Sequence, residues 1–242
     1  MVRFNWTVLK MKSLQLFDTK KLFYKTYLYK LDLNNCLNFM FRTGLQKGTN
    51  LEYARGELDE LARKYRAGEP LVRTVFRSVH EVSIDDYLDA KDLYLILKNE
   101  TNYKVRIENR ASISIYTNNK ELLDKIVMRL RRGAVGLWGP RKGTKNILTP
   151  EVILVNTEPE FPIRVMLKDV RISPDFAIWL RANRDKARIG DTALHCIDKH
   201  MHMTNFYFHV RDEKVMSIAY MLIGHAIRDI YNLVYMPAKN DK

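Results

Sequence analysis

Tyr103-Lys104-Val105-Arg106-Ile107, a turn at Asn109-Arg110, then Ile113-Ser114-Ile115-Tyr116, then Thr117-Asn118-Asn119 opening a run in which Leu122, Leu123, Ile126, Val127 and Leu130 recur: this stretch decides the fold class. Apolar and polar residues alternate in the first two segments, the period of a strand with one buried face. The third repeats every three to four residues, the period of a helix with one apolar stripe. Two short strands joined by a tight turn pair antiparallel, and the helix must bury its stripe on the apolar face they share. The expected class is therefore α+β, with mixed or antiparallel sheets and helices packed on one face.

The rest of the chain carries the same grammar. Residues 22–42 read as extended, with Asn34-Asn35 as a turn and Leu37 to Phe41 as a second short strand. Leu51, Ala54, Leu58, Leu61, Ala62 and Tyr65 predict a helix over 50–67, Asn50 being its cap and Gly68 its stop. A strand over 71–82 and a helix over 84–98 capped by Ser83 follow. Val152 to Val155 and Ile163 to Leu167 read as strands. Ser173-Pro174 starts a helix that runs to about Ala187. A strand over 205–210 and a last helix over 212–234 complete the reading.

Phe161-Pro162-Ile163-Arg164-Val165 and Phe206-Tyr207-Phe208-His209-Val210, followed by a helix, match the pattern of the opening stretch. The order suggests two similar strand–strand–helix units, the second with an inserted helix at 174–187. A domain over 1–132, a basic glycine-rich linker over 133–146 and a second domain over 147–242 are the expected organisation, one continuous domain being the alternative.

Charge is the informative part of the composition. Forty-one Lys and Arg stand against 28 Asp and Glu, a formal net charge of +13 in 242 residues. It is unevenly spread. Residues 1–30 hold seven basic groups and one acid, residues 131–145 five and none, whereas 71–100 hold four basic and six acidic groups. A patterned positive surface attracts polyanions. The basic residues do not lie on one long amphipathic helix, so nucleic acid is the expected partner rather than a membrane. Two distant cysteines, Cys36 and Cys196, form no disulfide framework and fit a reducing compartment, the cytoplasm or, for a viral protein, the host cytoplasm or a virion. No secretion signal or run of about 18 apolar residues is read.

Arg131-Arg132-Gly133-Ala134-Val135-Gly136-Leu137-Trp138-Gly139-Pro140-Arg141-Lys142-Gly143-Thr144-Lys145 is the first candidate site. Glycines let a backbone approach phosphate, Arg131, Arg132, Arg141, Lys142 and Lys145 neutralise it, and Trp138 offers a face for a base. Neither the Walker A loop nor the dinucleotide fingerprint is present. The alternative is a surface loop whose Trp138 packs into the core. On the predicted helix at 174–187, Arg181, Arg184 and Arg188 share a face, to track a phosphate backbone or to pair with Asp185 and Asp191.

His195, His200, His202 and His209 lie close in sequence, with Cys196 beside the first. His200-Met201-His202 is similar to the His-hydrophobe-His pair of rolling-circle replication nucleases, which implies a metal that polarises phosphate and a nucleophilic tyrosine on the next helix, here Tyr220 or Tyr231. The pair supplies two ligands, fewer than zinc sites use, and no acidic third ligand is evident. No metal, cofactor or catalytic residue is expected. The leading expectation is a non-catalytic protein that binds DNA or RNA; a structural or assembly protein, such as a viral particle component or a homo-oligomer, comes second, and a metal-dependent nuclease third.

Overall fold

The structure is a computed structural model that describes residues 14–41, 51–75, 78–107, 112–132, 134–202 and 204–237. The predicted cap Asn50, the turn Asn109-Arg110 and the basic segment 1–12 lie outside the described residues. The chain divides into two units, 1–145 and 146–242.

In the first unit the order is β1 (Gln15–Asp18), β2 (Tyr29–Asn34), a 3-10 turn (Asn38–Phe41), α1 (Leu51–Arg66), β3 (Val72–Val75), β4 (Ser78–Glu81), α2 (Ile84–Leu97), β5 (Tyr103–Ile107), β6 (Ser112–Thr117), α3 (Lys120–Arg129) and β7 (Ala134–Gly139). Local chemistry sets the helix starts: the Ser83 hydroxyl accepts from the backbone N–H of Asp86, and the Asn119 side chain from that of Leu122. Such a cap contributes about 1 kcal/mol. Ala54, Leu58 and Leu61 of α1, Leu93 and Leu97 of α2 and Leu122, Leu123 and Ile126 of α3 pack with Leu31, Leu33, Ile113 and Ile115 of the sheet in one apolar core.

Three sequence expectations fail here. Residues 23–27 are not extended but form a turn, the Tyr27 N–H donating to the Phe23 carbonyl at 2.9 Å. Leu37 to Phe41 is no strand, because the Asn35 side chain accepts from the Leu37 N–H and Asn38 donates to the Leu33 carbonyl, curling the chain. The stretch 71–82 is a hairpin of β3 and β4 rather than one strand.

The second unit runs β8 (Val152–Val155), β9 (Ile163–Leu167), α4 (Pro174–Ala182), β10 (Ala187–Ile189), α5 (Asp191–Asp198), β11 (Tyr207–Val210), α6 (Glu213–Ile223), a short 3-10 turn (Gly224–Ala226) and β12 (Ile227–Tyr235). Phe176, Ala177 and Leu180 of α4 and Val215, Met216 and Ala219 of α6 cover Val165, Leu167, Phe208 and Val210. The helix expected to reach Ala187 stops at Ala182, where Asn183 turns its amide back onto the Trp179 carbonyl. The helix expected over 212–234 stops at Ile223. Ile227 to Tyr235 instead forms a strand with partners on both sides, β9 and β8; a β-branched and aromatic run that can satisfy two ladders gains more as a strand.

Both five-stranded sheets have one order. Numbered along the chain, their strands lie first–fifth–second–fourth–third: β1-β7-β2-β6-β5 and β8-β12-β9-β11-β10. In each, the first and fifth strands are parallel and the other neighbours antiparallel. A helix carries the chain from the fourth strand across the second to the fifth, a split β-α-β arrangement. The sequence match of 103–107 with 161–165 is not one of position, since β5 is an edge strand and β9 is central. The strands at 113–116 and 206–210 do hold the same place. Among the described residues, no helix is long and apolar enough to cross a membrane.

Candidate nucleic-acid interface

Strand alternation that points Leu31, Leu33, Ile113 and Ile115 into the core points Lys30, Asp32, Ser114 and Tyr116 to the other face of the first sheet. Register then aligns one residue from each strand in a row: Lys104 on β5, Tyr116 on β6, Lys30 on β2, Trp138 on β7 and Phe17 on β1. Cations and aromatic rings alternate across four of the five strands.

The row is tied together by ring and charge contacts. Phe17 stacks on Trp138, centroids 4.5 Å apart and planes 17° apart. The Lys30 ammonium lies 4.3 Å from the Trp138 centroid and 2.9 Å from Asp32, whose carboxylate also accepts from the Ser114 hydroxyl at 2.6 Å. Tyr116 is 4% exposed because the turn at 23–27 covers it: Phe23 and Tyr24 pack on its ring. Tyr24 and Lys25 hold left-handed backbone angles there (φ 54° and 59°), which aim the Tyr24 ring over the sheet. The Lys104 ammonium sits 3.7 Å from the Tyr24 centroid, and Arg106 donates to the Tyr24 hydroxyl at 3.3 Å. Phe17 and Tyr24 of this face are exposed, each at 41%, whereas Trp138 is partly buried.

The proposed glycine-rich loop is resolved differently from its sequence reading. Ala134–Gly139 is strand β7, hydrogen-bonded between β1 and β2, not a linker. Glycine is used here for packing: a Cβ on Gly136 would meet the Trp138 ring at 2.7 Å. The arginines that flank the strand meet acids. Arg131 pairs with Asp89 and Asp92 at 3.3 and 3.1 Å, Arg132 with Asp85 at 3.0 Å, and Arg141 with Asp18 at 2.9 Å. Lys142 and Lys145 are exposed in the turn after β7. So the cluster brings together Trp138, Lys142 and Lys145 as accessible or ring-bearing groups, while its arginines serve ion pairs. The signals that sequence reading missed are Phe17, Tyr24, Lys30, Lys104 and Arg106, which lie on four separate segments; only β5's alternation of Lys104 and Arg106 hinted at a basic face.

The arginine stripe is likewise dissolved. Arg181 pairs with Asp198, Arg184 lies in the turn after α4, and Arg188 is on β10. The three do not share a helical face because the helix ends before the second of them.

The histidines disperse. His195 is exposed on α5, His200 has φ 49° and its Nδ1 lies 3.0 Å from the Ile172 carbonyl, and His202 lies 3.6 Å from Asp169. His200 and His202 are not on a strand, so the shared side expected of an HxH pair does not arise. Among the described residues no three His, Cys, Asp or Glu side chains are placed to hold a metal ion. His209 is different: it faces outward on β11, and its Nε2 accepts from Arg164 Nε at 3.0 Å. Burial, then the charges of Arg164 and Arg188, lower its pKa to about 4. Compared with protein-family models, with curated proteins and with solved structures, the chain matches none.

Proposed function

We propose that the chain binds single-stranded nucleic acid, without cutting it, on the outer face of its first sheet. The observation that carries this reading is the row Lys104–Tyr116–Lys30–Trp138–Phe17, with Tyr24 accessible beside Lys104 and Arg106 at its β5 end and Phe17 accessible at its β1 end. Bases stack on exposed rings, each contributing about 1–3 kcal/mol, and the exposed Lys104 and Arg106 neutralise phosphates, while Lys30 is held by Asp32. A sheet that presents rings to splayed bases is one recurrent way to hold a single strand. A duplex hides its base faces, so this arrangement favours single strands. Lys142 and Lys145 extend the basic margin beyond the end of β7.

The test is fluorescence anisotropy with labelled single-stranded and duplex oligonucleotides of equal length. Single strands are expected to bind more tightly, and Phe17→Ala with Tyr24→Ala to weaken them by at least tenfold while the duplex is little affected. Equal binding of both forms, unmoved by the two substitutions, rejects the reading.

Assembly is the second reading, and one observation favours it. On α6, Ile218, Tyr220, Met221 and Leu222 are exposed, Met221 at 78%. An apolar group of this kind on a helix surface suits a protein partner or a second copy. Light scattering on the purified chain, with Met221→Glu as the variant, measures this: a large assembly that dissolves in the variant supports it, and a monomer in both removes it.

A further inference from the structure

We propose that the second sheet carries a second binding row for single-stranded nucleic acid, built by Arg188, His209 and Arg164 with Tyr207 as its stacking ring; this rests on the reading proposed for the first sheet.

The argument begins with position. Register aligns Arg188 on β10, His209 on β11, Arg164 on β9 and Tyr231 on β12 in one row. Those are the third, fourth, second and fifth strands of their sheet. The row of the first unit uses the same strands in the same order: Lys104, Tyr116, Lys30 and Trp138. Both rows therefore read cation, ring, cation, ring across equivalent strands. Neighbouring strands lie about 4.8 Å apart, so Arg188 and Arg164 stand roughly 10 Å from one another, one on either side of His209.

The chemistry of the row suits an anion with a base attached. His209 does not compensate its two neighbours, since it is held neutral as an acceptor of the Arg164 Nε–H. Placing two guanidinium groups on either side of a neutral ring concentrates positive charge on a sheet face, and a phosphodiester offsets it with paired acceptors. Arg164 also lies over the Tyr207 ring, its guanidinium carbon 4.6 Å from the centroid, and Tyr207 meets His209 edge-on at 5.2 Å. Tyr207 is 43% exposed, so one end of this group is open for a base, as Phe17 and Tyr24 are in the first unit. Tyr231, by contrast, is buried at 3% and closes the row instead of stacking a ligand.

Short oligonucleotides separate the two rows. Isothermal titration of the whole chain with a hexanucleotide, oligo-dT or oligo-U, is expected to give two equivalents per chain. Phe17→Ala with Tyr24→Ala should remove one, and Arg164→Gln with Arg188→Gln and Tyr207→Ala the other. Arg188→Gln alone, at an exposed position, serves if the triple variant does not fold, and is expected to weaken the second equivalent about tenfold. NMR supplies an independent signal: the His209 imidazole resonances should move on adding the hexanucleotide to the Phe17→Ala, Tyr24→Ala protein. One equivalent only, lost in the first-sheet variant and untouched by Arg188→Gln, with His209 unmoved, overturns the second row and leaves the first standing. No binding by the unaltered chain overturns both.

Discussion

Phe17 and Trp138 stack across the parallel pair β1–β7, and the Trp138 ring lies against Gly136 two residues before it. Trp138 is thus engaged on the sheet before any ligand arrives, whereas Phe17, on the edge strand, keeps an accessible face. The two aromatic residues should separate in their effects. Trp138→Ala is expected to lower stability by about 1–2 kcal/mol as well as to weaken single-strand binding, because an aromatic pair is worth about 0.5–1.5 kcal/mol beyond the area it buries. Phe17→Ala is expected to weaken binding with a smaller change in melting temperature. Thermal melts run beside anisotropy titrations check both.

Salt should act strongly on binding. Contacts to about four phosphates of a single strand give a slope of log affinity against log salt near −3, at roughly −0.7 per phosphate. Lys104→Gln with Arg106→Gln is expected to make the slope shallower by about 1.4. An unchanged slope in that double variant means that the phosphates run elsewhere.

Asp89 is buried on α2, and its carboxylate accepts from the backbone N–H groups of Arg131 and Arg132 at 2.7 and 2.8 Å, just beyond the end of α3. Asp89→Ala leaves those two donors without their acceptor and the Arg131 guanidinium with Asp92 alone. A loss of roughly 3 kcal/mol is expected in chemical denaturation. Arg132→Ala, which removes a surface pair with Asp85, should cost less than about 1 kcal/mol and leave oligonucleotide affinity nearly unchanged.

His209 links stability to pH. Its pKa is lowered from 6.5 to about 4 by burial and by Arg164 and Arg188. Between those values the unfolded chain takes up a proton that the folded chain refuses, so stability falls as pH drops from about 6.5 towards 4 and is fully retained above 6.5. His209→Gln keeps an acceptor for Arg164 but does not titrate. The variant is expected to show a flatter stability profile over that window, measured by urea denaturation at several pH values.

What was legible in the sequence was local. The α+β class, the helices at 51–66, 84–97 and 120–129 and the caps Ser83 and Ser173 follow from periodicity and from side chains that bond backbone groups two or three residues away. The net positive charge is likewise a property of the chain and survives any fold.

Which cations remain available, and which rings lie beside them, depends on pairing between distant segments. Arg131 and Arg132 read as phosphate contacts in a loop, yet α2 brings Asp85, Asp89 and Asp92 to them from some 40 residues upstream. Residues 134–139, rich in glycine, read as a linker; they form a strand because β1 and β2 supply ladders on both sides, one of them from the start of the described chain. Residues 227–235 continue the apolar pattern of α6 without a break, and only the vacancy between β9 and β8 makes them a strand. The row of cations and rings exists in no segment of the sequence. It is assembled by register, because a strand's period of two turns alternate side chains outward and hydrogen bonding then sets five such side chains side by side.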